Sequence, residues 1–408
     1  MYPNPFDTLP DATSRVPYGP ARGLGLVLAW ESASARHVDS RFLRCPEPAA
    51  LPPNLRSLLD SESGSRLQRS FNPGGLVPDW QADRLIELPG GFFRRTQSRI
   101  PVEPHAGRFY PGVFLANAPG LPPGPAPAFR VAAIGADGSM QVDLNHPLAG
   151  IPLDLEIRVI DPAPETEAPE DLGRVAVSNG PGMQARWRDQ PTDFHSGDAF
   201  ARVDSAPDAE FYAMPRLVHH LDQSARERIS HLYQTLVPDG AVVLDLMSSW
   251  ASHLSGEARM SHVAGLGMNA QELAANPVLN ERVVQDLNTE SRLPWPDASF
   301  DAVLCTVSVE YLIHPVAVFR EVRRILRPGG PFVISFSNRW FPPKAIAIWG
   351  ELHEFERMGL VLELFHEAGG FRGLTTWSLR GLPRPPGDAY AGRLANSDPV
   401  YAVWGHAA

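Results

Sequence analysis

Cysteine is scarce in this chain of 408 residues. Only Cys45 and Cys305 are present, which are too few for a disulfide framework and lack the paired spacing of a zinc site. Basic residues are also in the minority, since 36 Lys and Arg stand against 46 Asp and Glu and give a formal net charge of −10. A surface that binds nucleic acid or anionic lipid needs clustered basic residues. We therefore expect small molecules or other proteins as partners, not nucleic acid, and a reducing cytoplasm as the location.

Long apolar runs are absent as well. No run approaches the roughly 20 residues that cross a bilayer, and the opening stretch MYPNPFDTLPDATSRVPYG lacks the basic segment and apolar core of a secretory signal. We expect a protein without a membrane partner. The adjacent His219 and His220 fall in a predicted helix and would point to different faces of it, so the sequence predicts no metal site there.

The composition and the pattern of apolar residues divide the chain into four parts. Residues 1–95 are irregular, with one apolar strand at 23–30 and a broken helix at 51–71. Residues 96–162 predict a small antiparallel β domain, because FRVAAI and MQVDL flank a GADGS turn and residues 153–160 alternate in polarity. Residues 163–206 begin in a stretch rich in Pro, Glu and Gly, which is typical of a solvated linker.

Residues 207–408 form the fourth part and predict an α/β fold. A helical stripe over 216–236 leads into the strand VVLDL, and strands and helices then alternate with short turns. Asn269 with Glu272 has capping-box spacing, and Pro315 suits the first turn of a helix. Residues 371–379 and 398–406 predict a closing pair of strands. Such alternation is typical of a parallel sheet covered on both faces.

The segment from Asp245 to Asn338 resembles the class I S-adenosylmethionine-dependent methyltransferases, particularly the type 11 group. The most specific piece is LPWPDASFDAVLCTVSVEYLIHPVAVFREVRRILRPGGPFVIS. In that family such a segment spans the fourth strand, its helix and the fifth strand. The resemblance implies a Rossmann-like sheet, S-adenosyl-L-methionine as the cofactor, and transfer of a methyl group to a small-molecule acceptor that the sequence does not identify.

The resemblance also implies where the cofactor binds. In a doubly wound sheet the residues after successive strands face one crevice, and here they follow the first four strands. Asp286 stands where the family has an acid that accepts the adenine amino proton, and the backbone amide of Leu287 would meet the ring. Cys305 would be a small apolar residue beside the cofactor. The remaining candidates are Asp245, Met247, Ser248, Ser249, Gly267 and Met268.

Two departures from the family pattern bear on the cofactor site. The loop after the first strand usually reads Asp-x-Gly-x-Gly-x-Gly, but Met247, Ser249 and Ala251 occupy the glycine positions. The missing glycines do not abolish binding by themselves, since a loop can keep φ negative and still present its amides if its side chains turn outward. The hydroxyls of Ser248 and Ser249 can replace lost amide contacts. Gly267 stands where the family has the acid that pairs with both ribose hydroxyls. An alternative hypothesis is a non-catalytic scaffold whose Met247 and Trp250 fill the crevice.

Two candidate catalytic residues follow the fourth strand. Glu310 and Tyr311 stand where type 11 members often have a polar pair near the acceptor. We predict that Glu310 is a general base. The alternative is that it is a capping or surface glutamate at the start of the next helix.

The string NHPLAG, residues 145–150, resembles the closing segment of SlyD-like FKBP-type prolyl isomerases. The resemblance covers about 35 residues, and the family's pocket-lining stretch has no match upstream. The fragment contains few aromatic residues for a proline pocket, so a retained FKBP-like β scaffold is the favoured interpretation. His146 is then expected to be a hydrogen-bonded turn residue.

Overall fold

The computed structural model describes residues 23–44, 66–95, 102–115, 118–121, 128–160, 172–254 and 260–408. Its strands are β1 Gly23–Glu31, β2 Arg36–Arg44, β3 Arg66–Phe71, β4 Leu85–Leu88, β5 Phe109–Tyr110, β6 Phe129–Ile134, β7 Met140–Asp143, β8 Leu153–Ile160, β9 Val242–Leu246, β10 His262–Gly267, β11 Glu281–Val284, β12 Ala302–Thr306, β13 Pro331–Phe336, β14 Phe371–Arg380 and β15 Val400–Ala407. Its α-helices are α1 Leu172–Val177, α2 Asp208–Phe211, α3 Gln223–Leu236, α4 Ala270–Ala275, α5 Pro315–Ile325, α6 Ala347–Glu351 and α7 Glu354–Ala368. Single 3-10 turns occur at Ala82–Arg84, Gly90–Phe92, Gly112–Leu115 and Val309–Tyr311.

The larger sheet has the order β11-β10-β9-β12-β13-β15-β14-β2-β1-β8-β3. The strands from β11 to β13 are parallel, and β15 then pairs antiparallel with both β13 and β14. In chain order the parallel strands run 3-2-1-4-5, the doubly wound arrangement of Rossmann-like folds. The strand order therefore supports the predicted α/β sheet and places its switch point between β9 and β12.

Helices cover both faces of the parallel strands. Alternate residues of a strand point to opposite faces, and here Val243 and Leu304 pack with α3 in one core while Leu244 and Val303 pack with α5 and α7 in another. The predicted closing strands are also present as the antiparallel pair β14 and β15. The expected layered α/β architecture is confirmed for this part of the chain.

A second sheet of four antiparallel strands has the order β4-β7-β6-β5 and its own core of Phe, Val and Met side chains. The hairpin expected at 129–143 is present, and Gly138 takes the left-handed φ of +80° in its turn. Residues 153–160 do form a strand, but β8 pairs with β1 and β3 in the larger sheet. Grouping that strand with the hairpin was wrong, because its alternating polarity indicates a half-buried strand without specifying its neighbours.

The four-part division of the chain stays a prediction, since strand pairing does not show which segments fold independently. Residues 161–171 lie outside the described residues. Within the predicted linker, Phe194 is buried in the main core and Arg186 forms an ion pair with Glu363 of α7, so these described residues are packed and not solvated. Of the expected broken helix, 51–65 is likewise outside the described residues, and its last residues form strand β3.

The helix expected from residue 216 begins only at Gln223. Asp222 is its N-cap, and its carboxylate accepts hydrogen bonds from the amides of Ala225 at 2.9 Å and Asp398 at 2.6 Å. Residues 212–222 form an irregular segment with a turn and bends, which we call the strap. The apolar stripe included Leu217, but that side chain is 52% exposed on the strap. The tertiary contacts of Asp222 fix where the helix begins.

Two further local predictions can be compared with the structure. His146 accepts a hydrogen bond from the amide of Leu148 at 3.1 Å, which confirms it as a hydrogen-bonded turn residue. The likeness of NHPLAG to FKBP-type isomerases stays a prediction. Among the described helices, none has the length and apolar composition to cross a membrane.

Candidate active site

A cleft opens at the carboxyl ends of the parallel strands. Its volume is about 1180 Å³ including the solvent-open mouth. The loops that follow β9, β10, β11 and β12 all contribute to its wall, and residues of the strap line it as well. Ligands of doubly wound sheets bind at this position, beside the switch point of the strand order. Of the predicted cofactor residues, those that line the cleft are Asp245, Met247, Ser248, Ser249, Gly267, Met268, Asp286 and Leu287.

The glycine-poor loop after β9 keeps a glycine-like backbone at one position. Met247 has a φ of +58°, in the left-handed region that glycine adopts without strain. The loop therefore does not keep φ negative at Met247. Strain of this kind, about 1–3 kcal/mol, persists where neighbouring contacts impose it, and here the next amide, that of Ser248, donates to the carbonyl of Leu266 at 2.7 Å.

Asp245 is the last residue but one of β9, next to this loop. Its carboxylate accepts a 2.5 Å hydrogen bond from the hydroxyl of Ser248. Burial raises the pKa of Asp245 to about 6, although hydrogen bonds from Ser248 and Ser252 oppose the rise. Asp245 therefore fixes the loop from below with a carboxylate that gains a proton in mildly acidic solution.

Gly267 is needed for packing of the same loop. A Cβ atom at this position would lie 2.1 Å from the carbonyl oxygen of Ser248, so a side chain cannot be accommodated unless the loop moves. The absence at Gly267 of the acidic residue that the family uses to bind the ribose therefore has a steric cause. A different acid lines the cleft nearby, since Glu272 of α4 accepts the Ser249 hydroxyl at 2.7 Å and the amide of Arg216 at 2.6 Å.

Asp286 lies in the wall after β11. Its two carboxylate oxygens accept hydrogen bonds at 2.9 Å from the Asn288 amide and from the Thr289 hydroxyl. Each oxygen keeps a further lone pair, so this turn does not exhaust the acceptors. Leu287 is buried against the core and presents an apolar surface to the cleft.

The strap is attached to the loops that it crosses. The side-chain amide of Asn269, the N-cap of α4, donates to the carbonyls of Tyr212 at 2.8 Å and Ala213 at 3.2 Å. The indole of Trp250 donates to the carbonyl of Val218 at 3.2 Å, and its ring lies 4.4 Å from that of His219. Trp250 therefore belongs to the wall of the cleft and holds the strap over it.

The two catalytic candidates occupy different environments. Tyr311 lines the cleft, and its hydroxyl oxygen accepts a hydrogen bond from the Phe341 amide at 2.9 Å. Glu310 does not line it. The Glu310 side chain is 1% exposed, neither carboxylate oxygen has a partner among the described residues, and burial raises its pKa to about 8. The 3-10 turn separates the two side chains, so the carboxyl group of Glu310 lies away from the cleft, and its catalytic role stays a prediction.

Cys305 is also separated from the cleft. It lies in the apolar core below β12, and burial raises the pKa of its thiol well above the ordinary value. The next residue along the strand, Thr306, lines the cleft instead. Successive residues of a strand point to opposite sides. The cleft-lining residue of this strand is therefore one position later than predicted, and contact of Cys305 with the cofactor is not supported.

Several lining residues were not predicted as site residues from the sequence. They come from the strap and from the segment after β13, and they are Tyr212, Arg216, His219, His220 and Phe341. No motif marks them, because their position depends on how the strap crosses the sheet. Glu272 had one sequence signal, its capping-box spacing from Asn269, but its side chain reaches the loop after β9 and not the N-cap amide.

Comparison with known proteins gives one family. Residues 249–334 match a family model described as a methyltransferase domain. The ubiquinone/menaquinone biosynthesis C-methyltransferase UbiE of Chromobacterium violaceum is 30% identical over 120 residues, which are 26% of this chain and 49% of that protein. The methyltransferase GfsG of Streptomyces halstedii is 29% identical over 136 residues, 31% of this chain and 48% of that protein. The chain thus spans about half the length of each of these two relatives.

Among solved structures, an S-adenosylmethionine-dependent methyltransferase from Mesorhizobium loti covers 45% of this chain and 98% of its own, with 19% identity and a TM-score of 0.30. The segment that matches the methyltransferase domain model begins in the loop after β9 and ends in β13, and so includes most of the cleft wall. The family match and the strand order together support a methyltransferase domain with a Rossmann-like sheet in this part of the chain.

Proposed function

We propose that this chain transfers a methyl group from S-adenosylmethionine to a small-molecule acceptor bound in the cleft. The observation that carries the proposal is that the loops after four parallel strands line one open cleft at the switch point of the sheet, within the segment that matches a methyltransferase domain. UbiE and GfsG are named as methyltransferases, which supports the reaction class without naming this acceptor.

The residues of the cleft fit the parts of this cofactor. Asp286 has free lone pairs for the amino group of adenine, and Leu287 offers an apolar surface to the ring. Glu272 is the carboxylate that lines the cleft after β10, and we assign it the hydroxyl-binding role that Gly267 cannot have. Both oxygens of Glu272 accept one hydrogen bond already and retain a lone pair each. Met247, Ser248 and Ser249 supply the loop for the methionine part.

When bound, the cofactor supplies a methyl group on a positively charged sulfur. The chain then has to hold the acceptor in line with that methyl and to keep water out. Tyr311 can position an acceptor, since its hydroxyl accepts the Phe341 amide and keeps its own proton for donation. The aromatic side chains of the strap and of Phe341 cover this part of the cleft.

A non-catalytic scaffold is the alternative that the sequence leaves open. In that case Met247 and Trp250 would fill the crevice. In the structure both side chains lie in the wall, and a cleft flanked by Asp286 stays open between the loops. The open cleft favours the enzyme.

Calorimetric titration of the full chain with S-adenosylmethionine and S-adenosylhomocysteine tests the proposal. We expect a single site with saturable heat. The absence of heat at high micromolar ligand would contradict the proposed function and would favour the non-catalytic scaffold instead.

The placement of adenine can be tested at Asp286. We expect Asp286→Ala to raise the dissociation constant of S-adenosylhomocysteine by about ten- to a hundredfold, because a hydrogen bond to a charged group contributes about 1.5–3 kcal/mol. Thr289→Ala is the matched control for the turn, since it removes the 2.9 Å hydrogen bond to Asp286 and leaves the carboxylate in place.

A second control separates affinity from stability. Asp301 accepts the Val242 amide at 2.8 Å and pairs with Arg327 at the opposite end of β12. Asp301→Ala should lower the melting temperature and leave cofactor affinity unchanged. Equal losses of affinity in Asp286→Ala and Thr289→Ala would show that the turn, and not the carboxylate, is what the cofactor requires.

A further inference from the structure

The strap contributes one guanidinium group, that of Arg216, to the lining of the cleft, and it is held mainly by aromatic rings. The carbon atom of the Arg216 guanidinium lies 4.5 Å from the centre of the Phe211 ring, 5.3 Å from that of Phe341 and 5.7 Å from that of Tyr212. Its Nη2 donates to the carbonyl of Phe211 at 3.0 Å. Its Nη1 is buried and has no hydrogen-bond partner among the described residues. A buried donor without a partner is costly, and Arg216 is a lining residue of the cleft, so an acceptor placed beside its guanidinium would relieve that cost.

The carboxylates that line the cleft are engaged with other groups. Asp208 accepts hydrogen bonds from Arg202 at 2.7 and 2.8 Å and from Asn288 at 2.8 Å. Glu272 accepts the backbone amide of Arg216 itself, and no ion pair joins it to the guanidinium in the described part of the chain. The charge of Arg216 therefore faces the cleft without a carboxylate partner there.

The histidines of the strap do not share this role at neutral pH. Burial lowers the pKa of both His219 and His220 below the ordinary value of 6.5, and a neutral imidazole carries no charge for an anion. Among the described lining residues, Arg216 is then the side chain that carries a positive charge at neutral pH.

The guanidinium of Arg216 lies beside residues that follow β12 and β13. It contacts Phe341, which follows β13, and the Tyr311 ring is stacked on Phe341 with centres 6.0 Å apart. β13 lies on the opposite side of the switch point from β10 and β11. Flat apolar rings pack well between aromatic side chains, and a planar guanidinium pairs with both oxygens of a carboxylate.

We propose that the methyl acceptor is an aromatic carboxylate, and that Arg216 binds its carboxylate while Tyr311 and Phe341 pack against its ring. This inference rests on the proposed function and deepens it by naming the class of acceptor. Arg216 acts in recognition of the acceptor and takes no part in the transfer itself.

The test uses the full chain saturated with S-adenosylhomocysteine and a panel of defined probes. Benzoate, 4-hydroxybenzoate and indole-3-carboxylate are titrated beside their primary amides, which have the same shape without the charge. We expect at least one carboxylate to bind about tenfold or more tightly than its amide. A panel in which no carboxylate is preferred, in protein that binds S-adenosylhomocysteine, would overturn this inference and leave the methyltransferase proposal intact.

Variants assign the preference to Arg216. Arg216→Gln should remove the preference for the carboxylate, and Arg216→Lys should keep only part of it, because a lysine retains the charge but loses the planar pair of donors. Arg339→Gln is the matched control, since Arg339 also lies over a ring, that of Tyr390 at 4.8 Å, but pairs with Asp398 and does not line the cleft. An unchanged preference in Arg216→Gln would overturn the assignment.

The cofactor also has a carboxylate, and a second titration separates the two sources. Arg216→Gln should leave the affinity for S-adenosylhomocysteine within about twofold. A large loss for S-adenosylhomocysteine without a loss for 5′-methylthioadenosine, which lacks the amino-acid part, would show that Arg216 binds the cofactor carboxylate and would overturn the inference. Failure of the parent protein to bind S-adenosylhomocysteine would instead contradict the proposed function.

Discussion

Glu310 allows a prediction whose magnitude follows from its surroundings. The carboxyl group is 1% exposed, and neither oxygen has a partner among the described residues. Burial raises its pKa from 4.5 to about 8, so the side chain is neutral in the folded protein at pH 7 and ionised in the unfolded chain. A raised folded-state pKa contributes stability that is complete below pH 4.5 and is lost as the pH rises through 8.

Glu310→Gln replaces the acid with a neutral group of nearly the same shape. The variant has no proton to lose, so its stability relative to the parent should increase with pH by about 1.4 kcal/mol per unit between the two pKa values. From this slope we expect a relative gain of ~2 kcal/mol at pH 6 and ~3 kcal/mol at pH 7. The buried amide carries a desolvation cost of its own, but that cost does not vary with pH.

Urea unfolding followed by tryptophan fluorescence at pH 5, 6, 7 and 8 measures the difference. Other titrating groups contribute equally to parent and variant, so the difference isolates Glu310. Glu363→Gln is the control, because Glu363 is also buried but accepts hydrogen bonds from Arg186 at 2.6 and 2.5 Å. The Glu363→Gln variant should lose about 1–3 kcal/mol of unfolding free energy. A difference between Glu310→Gln and the parent that stays constant from pH 5 to 8 would refute the reasoning.

Two further substitutions test the scaffold of the cleft. Gly267→Ala should lower both the melting temperature and the affinity for S-adenosylhomocysteine, because its Cβ would lie 2.1 Å from the Ser248 carbonyl oxygen; Gly350→Ala, with no atom within 4 Å, should be neutral or stabilising by about 0.5–1 kcal/mol. Asp222→Ala should cost more than the ~1 kcal/mol of an ordinary N-cap in urea unfolding, because its carboxylate also accepts the Asp398 amide. The exposed Asp239→Ala should stay within about 0.5 kcal/mol of the parent, and equal losses in the two aspartate variants would contradict the role given to Asp222.

The sequence by itself determined the features that depend on neighbours in the chain. Asn269 caps α4 by accepting the Gln271 and Glu272 amides, and Pro315 opens α5. The alternation of apolar strands and helices likewise predicted the parallel sheet, because each strand covered on both faces has to be apolar throughout.

Only the tertiary structure decided which distant residues meet. Asp222 ends the strap because residues 397–398 reach it from the far end of the chain. β8 belongs to the larger sheet because β1 and β3 flank it, although its pattern would suit either sheet. Glu310 and Tyr311 are adjacent in sequence, yet a 3-10 turn buries one and directs the other to the cleft. Local patterns specify periodicity and burial, whereas the identity of a contact depends on how the whole chain packs.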